Sequence, residues 1–124
     1  MKFAYAAAAL VLVVIVIIVA MSNSASPGLY DNFARCLSEK DFKFYGAYWC
    51  SHCIQQKELF GSSADKLPYI ECSLPKNAGQ TAVCTAAGIT SYPTWVLPSG
   101  KRLSGTLSLQ ELATLSGCAL NTTS

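Results

Sequence analysis

Two cysteines separated by two residues, Cys50 and Cys53, lie where the sequence changes from a strand pattern to a helix pattern. The preceding stretch FKFYGA, residues 42–47, is aromatic and nearly uncharged, which is typical of a buried central strand. The following stretch IQQKELF, residues 54–60, contains good helix formers and ends at Gly61, a natural stop for a helix. The sequence therefore predicts a strand, a CxxC turn and a helix in succession.

Helices and strands alternate in the rest of the chain, which predicts an α/β fold. Periodicity and turn residues predict helices over residues 29–40, 81–87 and 108–115, and strands over residues 67–72, 93–97 and 102–105. Ser108 and Glu111 have the spacing of a capping box at the start of the last helix. Residues 61–65 are predicted to be a loop, and residues 73–79 a polar connection.

The N-terminal residues 3–21 carry no charge and predict a membrane anchor. A helix of that length spans roughly 28 Å, close to the thickness of the hydrocarbon layer of a bilayer. A cleavable signal peptide is the alternative, although its apolar region is usually shorter, about 7 to 15 residues. Lys2 precedes the span, so the positive-inside tendency directs the rest of the chain to the extracytoplasmic or lumenal side.

The remainder of the chain has the composition of one small domain on a short tether. Residues 22–28, SNSASPG, are predicted to be a linker, residues 29–118 one domain, and residues 119–124 a flexible tail. Six cysteines in 124 residues favour an oxidising compartment. Acidic and basic residues nearly balance in the domain, and no basic stripe suggests binding of nucleic acid.

The CxxC pair has the spacing that thiol-disulfide exchange needs. Cys50 is placed at a helix N-terminus, where the helix dipole and free backbone N–H groups favour a thiolate. Cys53 follows on the first helical turn and can resolve a mixed disulfide formed on Cys50. His52, the chain's single histidine, can donate a hydrogen bond or positive charge to the Cys50 thiolate, which would make the disulfide more oxidising.

WCSHC at residues 49–53 and the dipeptide Tyr92-Pro93 together resemble the thioredoxin superfamily. More narrowly, the stretches FYGAYWCSHCIQQKELFG, PYIECS and GITSYPTW resemble the thioredoxin-like domain that is fused to, or partnered with, vitamin K epoxide reductase homologues. The resemblance implies a thioredoxin-like α/β fold, a central mixed sheet flanked by helices and preceded here by one transmembrane helix. It also implies client proteins that acquire disulfides, and a membrane oxidase of the vitamin K epoxide reductase type as redox partner.

The resemblance further assigns residues around the cysteines. It implies a cis peptide bond before Pro93, beside the CxxC, whereas the alternative is an ordinary trans proline at the start of an edge strand. Trp49 and Tyr92 are expected near a docked client peptide. Many superfamily members have a buried acid six positions before the first cysteine, and this chain has Phe44 there. We therefore expect water or His52 to move the proton of Cys53.

Four cysteines remain, and three pairings of them are possible. Cys72 and Cys84 match cysteines of the resembled domain, which implies one disulfide between them and leaves Cys36 for Cys118. A static Cys72–Cys84 staple closing so short a loop would contribute roughly 3 kcal/mol. The alternative is an exchangeable second pair that relays electrons to another protein.

Three other interpretations compete with the interpretation that the protein oxidises the thiols of folding client proteins. The same exchange can run as a reductase or isomerase, and a redox-inert domain could hold clients through its apolar surface. The cysteines at positions 50, 53, 72 and 84 with His52 also contain enough ligands for zinc, but a second CxxC or a paired-histidine motif is missing. We expect no metal and no cofactor. Asn121 begins a weak glycosylation sequon.

Overall fold

A computed structural model describes residues 1–22 and 27–120 of the chain. Its helices are α1 (Lys2–Ser22), α2 (Asp31–Glu39), α3 (Ser51–Phe60), α4 (Ala82–Ala86) and α5 (Leu109–Ser116). Its strands are β1 (Lys43–Gly46), β2 (Tyr69–Glu71), β3 (Thr94–Val96) and β4 (Arg102–Ser104), and short 3-10 helices cover Gly61–Lys66 and Pro75–Asn77. The sequon at Asn121 and parts of the predicted linker and tail lie outside the described residues.

The strands form one mixed sheet in the order β2-β1-β3-β4. β1 pairs in parallel with β2, so that Gly46 is level with Glu71, and antiparallel with β3. β3 and β4 form the predicted hairpin. The α/β class with a central mixed sheet flanked by helices is therefore confirmed, and the aromatic strand before the cysteines is an inner strand.

Alternate residues of β1 serve the two faces of the sheet, as the pleat requires. Phe44 is fully buried in the larger apolar cluster, where its ring stacks on Trp95 with centroids 4.8 Å apart. The same cluster contains Phe33 of α2 and Phe60 of α3, whose rings stack at 5.7 Å. Tyr45 belongs to the smaller cluster, which the Cys72–Cys84 disulfide fills together with Ile89.

A buried amide joins the cysteine helix to the rest of the core. Gln56 of α3 has no exposed surface, and its Oε1 accepts hydrogen bonds from Trp95 Nε1 at 3.0 Å and from Leu107 N at 2.8 Å. Its Nε2 donates to Leu107 O at 2.9 Å. These three bonds fix α3 against β3 and against the segment that leads into α5.

One local prediction needs correction. The segment predicted as a loop, residues 61–65, belongs to the 3-10 helix Gly61–Lys66. Small polar residues suit both states, and here a tertiary contact decides, because the buried Ser63 hydroxyl accepts a hydrogen bond from Tyr30 N at 2.9 Å. Helix α3 begins at Ser51 with Cys50 as its N-cap, in agreement with the predicted positions of Cys50 at a helix N-terminus and Cys53 on the first turn. The capping box of Ser108 and Glu111 is confirmed.

Helix α1 is long and apolar enough to cross a membrane, with a mean hydropathy of 3.0 and no buried residue. It extends through Ser22, one residue into the predicted linker. A signal sequence near the N-terminus can also form a helix that is long and apolar enough to meet this criterion. The helix therefore agrees with both interpretations of the N-terminal segment.

Candidate active site

Cys50 is the N-cap residue of α3. Its backbone is extended, at φ −77° and ψ 119°, and its Sγ accepts a hydrogen bond from Cys53 N at 3.2 Å. A turn closed by Cys50 N and Ala47 O at 3.0 Å brings the chain from the end of β1 to this position. The sulfur therefore satisfies a backbone N–H that the helix leaves unpaired, in the field of the helix N-terminus.

Cys53 lies one turn into the helix and is almost completely buried, at 1% exposure. Burial, followed by its hydrogen bond with Cys50, raises the pKa of the Cys53 thiol to about 12. Both cysteines are free thiols in the structure. The two sulfurs are thus in unequal environments, with Cys50 at the helix end and Cys53 beneath it in the core.

His52 projects from the first turn of α3 and is exposed. Its Nδ1 lies 3.1 Å from Gln55 Oε1, and its backbone oxygen accepts a hydrogen bond from Thr106 Oγ1 at 3.0 Å. The hydrogen bond to Cys50 Sγ comes from the backbone of Cys53. Tuning of the Cys50 thiolate by His52 remains a prediction.

Three aromatic side chains border the cysteine turn, and we call Tyr48, Trp49 and Tyr92 the aromatic wall. Trp49 is 47% exposed, and its ring meets that of Tyr92 edge to face at 6.0 Å. The peptide bond between Tyr92 and the buried Pro93 is cis. The structure thus brings Trp49 and Tyr92, the two predicted client contacts, together.

The segment between Cys72 and Cys84 holds each member of the aromatic wall. Trp49 Nε1 donates to Ser73 Oγ at 2.8 Å, and Asn77 N donates to Tyr48 Oη at 3.2 Å. Gln80 Nε2 donates to Tyr92 Oη at 2.6 Å. Sequence reasoning identified this segment as a polar connection closed by a static or an exchangeable disulfide, and it missed the contacts with the aromatic side chains. These contacts join residues 12 to 29 positions apart along the chain, beyond the reach of local sequence patterns.

Cys72 is bonded to Cys84, and Cys36 of α2 is bonded to Cys118, which follows α5. The first disulfide closes 12 residues and the second closes 82. Because the sulfurs of Cys72 and Cys84 are bonded to each other, they are not thiolate ligands of the kind that the zinc alternative requires. No cluster of three or more His, Cys, Asp or Glu that could hold a metal ion occurs among residues 1–22 and 27–120.

An acid of β2 that sequence reasoning missed, Glu71, contacts the chain two residues before Cys50. Phe44, at the position six residues before Cys50, is packed between Trp95 and Tyr69. The acids nearest to the cysteines along the sequence, Asp41 and Glu58, are exposed. Glu71, level with Gly46 in the parallel pair, accepts a 2.5 Å hydrogen bond from Tyr69 Oη. The parallel pairing of β1 and β2 could have predicted this position of Glu71, since neighbouring parallel strands end at the same edge of a sheet.

The Glu71 carboxylate also organises the start of the site. Its Oε1 accepts hydrogen bonds from Tyr48 N at 3.1 Å and from Ser73 N at 3.0 Å. Burial, followed by the hydrogen bond to Glu71, raises the pKa of Tyr69 above its ordinary value. The phenol therefore stays neutral and donates, and the carboxylate links the chain before Cys50 to the disulfide loop.

No family model matches the chain. The chain is 41% identical to thiol-disulfide oxidoreductase LTO1 of Arabidopsis thaliana over 105 residues, which is 82% of this chain and 27% of that protein. The chain thus spans about a quarter of the length of the curated relative that it matches. With this identity over most of its residues, and with the CxxC turn at a helix N-terminus, the chain belongs to the thiol-disulfide oxidoreductases of the thioredoxin superfamily.

Proposed function

We propose that the protein exchanges disulfides with client proteins through Cys50 and Cys53. The observation that supports this proposal most strongly is the position of Cys50 as N-cap of α3, where its sulfur accepts a hydrogen bond from the Cys53 N–H. A helix N-terminus and a backbone N–H donor are the surroundings that suit a sulfur which attacks or departs as a thiolate. The named activity of the relative supports the same chemistry.

In the oxidising direction, a client thiolate attacks Cys50 of the Cys50–Cys53 disulfide. A client–Cys50 disulfide forms, and Cys53 leaves as a thiolate that takes up a proton. A second client thiolate then attacks the client sulfur of the mixed disulfide and expels Cys50. The client loses two electrons and two protons, and the cysteine pair gains them as two thiols.

The proposed direction is oxidation of clients in an extracytoplasmic or lumenal space. Support comes from two structural disulfides in the same domain, which persist in oxidising compartments, and from α1, which suits an anchor or a signal sequence. The alternative, a reductase or isomerase, uses the same atoms in the opposite direction. The proposed partner that re-oxidises the pair is a membrane oxidase of the vitamin K epoxide reductase type, and its identification rests on the sequence resemblance.

Equilibration of the Cys50–Cys53 pair with glutathione tests the direction. A potential in the oxidising half of the range from about −270 to about −120 mV supports an oxidant, and a value near about −270 mV, that of a cytosolic thioredoxin, contradicts it. Acid quenching, alkylation and mass spectrometry count the free thiols at each ratio of reduced to oxidised glutathione. The Cys50→Ser, Cys53→Ser double variant supplies the baseline from the two structural disulfides.

The exposed aromatic wall favours one further candidate, a redox-inert module that holds clients. The Cys50→Ser, Cys53→Ser double variant separates the two functions in an assay that follows oxidation of a reduced client peptide. We expect the double variant to lose this oxidation completely. Retention of full function by the double variant would favour the binding module.

A further inference from the structure

A buried thiol that becomes charged needs a counter-charge, and the structure offers one to Cys53. In either direction of exchange, Cys53 is transiently a thiolate, because it attacks the Cys50 mixed disulfide or is expelled from the Cys50–Cys53 disulfide. Burial of this sulfur makes its charged form costly. Phe44 occupies the position where an acid could have assisted proton transfer.

Lys57 is on the same face of α3 as Cys53, four residues later and one turn along the helix. Its Nζ lies 3.5 Å from the centroid of the Tyr69 ring, a distance typical of a cation–π contact. The Lys57 side chain is partly buried. The ring therefore fixes the ammonium on the inner side of the helix instead of leaving it free in solvent.

The same ring borders Cys53. A β-carbon placed on Gly46 would lie 2.9 Å from Tyr69 Cε2 and 3.0 Å from Cys53 Sγ, so both atoms border the space beside the Gly46 Cα. The Tyr69 ring is fixed by an edge contact with Phe44 at 5.0 Å and by its hydrogen bond to Glu71. One immobilised ring thus contacts the lysine and lies beside the buried sulfur.

Within residues 1–22 and 27–120, Lys57 makes no ion pair with a carboxylate, and Asp65, which lines the same pocket, is paired with Lys66. The ion pairs of the described part of the chain are Lys43 with Asp41 and Lys66 with Asp65, and Lys57 takes part in neither. Glu71 receives the Tyr69 hydroxyl and two backbone N–H groups. The titratable groups that face Cys53 are Cys50 from the cysteine turn, Lys57 from α3, and Tyr69 from β2, whose hydroxyl is bonded to Glu71.

We propose that Lys57, held against the ring of Tyr69, is a positioning residue whose ammonium stabilises the Cys53 thiolate during disulfide exchange. The proposal rests on the exchange proposed above. In the resolving step, Cys53 releases its proton to solvent and its thiolate attacks Cys50. The Cys50–Cys53 bond forms, the bond from Cys50 to the client breaks, and the client sulfur leaves as a thiolate that takes up a proton from solvent. Lys57 and Tyr69 also line an open pocket of about 360 Å³, so solvent reaches this side of α3.

A two-phase reaction with one equivalent of an aromatic disulfide, dithiobis(nitrobenzoate), separates the two sulfurs. Attack by Cys50 releases the first nitrothiobenzoate, and attack by Cys53 on the resulting mixed disulfide releases the second. In Lys57→Met we expect the second phase to be slower by about tenfold, since a nearby opposite charge shifts a pKa by about one unit or more. The pH at which the second phase reaches a given rate should rise by about one unit, while the first phase stays within about twofold.

Lys57→Arg keeps the charge and should restore the second phase, and Lys43→Met removes a lysine of β1 as the matched control. Lys57→Gln serves as the neutral variant where Lys57→Met does not fold. A second phase that is unchanged in the neutral variants, or equally slow in Lys57→Arg, overturns the proposal. Absence of any second phase in the unsubstituted protein contradicts the proposed exchange itself, so the two failures are distinguishable.

Discussion

Trp49 Nε1 donates a 2.8 Å hydrogen bond to Ser73 Oγ, one residue after the disulfide-bonded Cys72. Trp49, the residue before the proposed nucleophile Cys50, is thereby attached to a loop that a covalent bond closes. Tyr48 and Tyr92 contact the same loop through Asn77 and Gln80. The Cys72–Cys84 disulfide consequently supports the aromatic wall, which we propose faces a client, whether the disulfide is static or exchangeable.

Removing this disulfide should therefore affect both stability and exchange. In a Cys72→Ala, Cys84→Ala variant we expect a loss of about 3 kcal/mol in the free energy of unfolding, from the released loop of 12 residues. Denaturant titration measures the loss. Exchange with a folded or peptide client should slow more than exchange with a small aromatic disulfide, because the small reagent does not need the aromatic wall. Equal slowing with both substrates would contradict this support role.

The Gln56 amide should contribute strongly to stability. Gln56→Leu leaves the Trp95 indole N–H and both backbone groups of Leu107 without their partners, and buried unsatisfied groups cost about 1 to 3 kcal/mol each. We expect a loss of about 2 to 4 kcal/mol in total, less than the full sum, because Leu107 is only partly buried and water can replace some of its bonds. Denaturant unfolding measures this loss. Gln110→Leu, on the exposed side of α5, is the control and should change stability little. A loss as small as that of the control would show that the amide network is dispensable.

Alkaline pH should destabilise the dithiol form. The native protein holds the Cys53 proton up to a pKa of about 12, whereas the ordinary thiol releases it near 9.0. Between about pH 9 and pH 12 the unfolded chain thus binds fewer protons, so stability is complete below this window and falls as the pH rises through it. The raised pKa of Tyr69 acts in the same direction at high pH.

Thermal unfolding of the reduced protein from pH 8 to pH 10.5, roughly across the start of that window, measures this effect. Cys53→Ser and the oxidised protein lack the titrating thiol and provide two controls. Both should show a shallower decline with pH. A decline of the same slope in all three proteins would assign the pH dependence to other groups.

The N-terminal helix gives a prediction about membrane attachment. If α1 is retained, the full chain stays in the membrane pellet after alkaline carbonate extraction. An Ile15→Arg, Ile17→Arg variant should insert into the membrane less, because each arginine near the centre of a spanning helix costs about 2.5 to 3.5 kcal/mol of insertion free energy. Intact-mass measurement of the mature protein provides the second reading. A mature chain that begins beyond α1 and stays soluble would identify a cleaved signal peptide.

Local sequence patterns predicted the elements whose interactions are local, and missed contacts that depend on tertiary packing. Helix α5 is an example, because Ser108 and Glu111 cap each other within four residues. Gln56 looked like any helix former, yet its burial depends on Trp95 and Leu107, which are about 40 and 50 residues away along the chain. Glu71 was missed for the same reason, since its proximity to the cysteine turn follows from the β1–β2 pairing.

The positions of the site residues could be predicted from the sequence only in part. The structure places Cys50, Cys53, Trp49, Tyr92 and Pro93 in one region, while His52 is directed to Gln55. The spacing of the cysteines and the helix after them could be predicted from the sequence. The contact of Lys57 with Tyr69 could not, because it joins a helix to a strand whose register is set by the sheet.

The central claim is that Cys50 attacks and Cys53 resolves, and trapping of a mixed disulfide tests it most directly. The Cys53→Ser variant is mixed with a disulfide-bonded peptide, quenched in acid, and mapped by mass spectrometry after digestion without reduction. We predict one peptide adduct, on Cys50, that accumulates because no resolving thiol remains. An adduct on Cys72 or Cys84, or no adduct together with undiminished exchange, would contradict the claim.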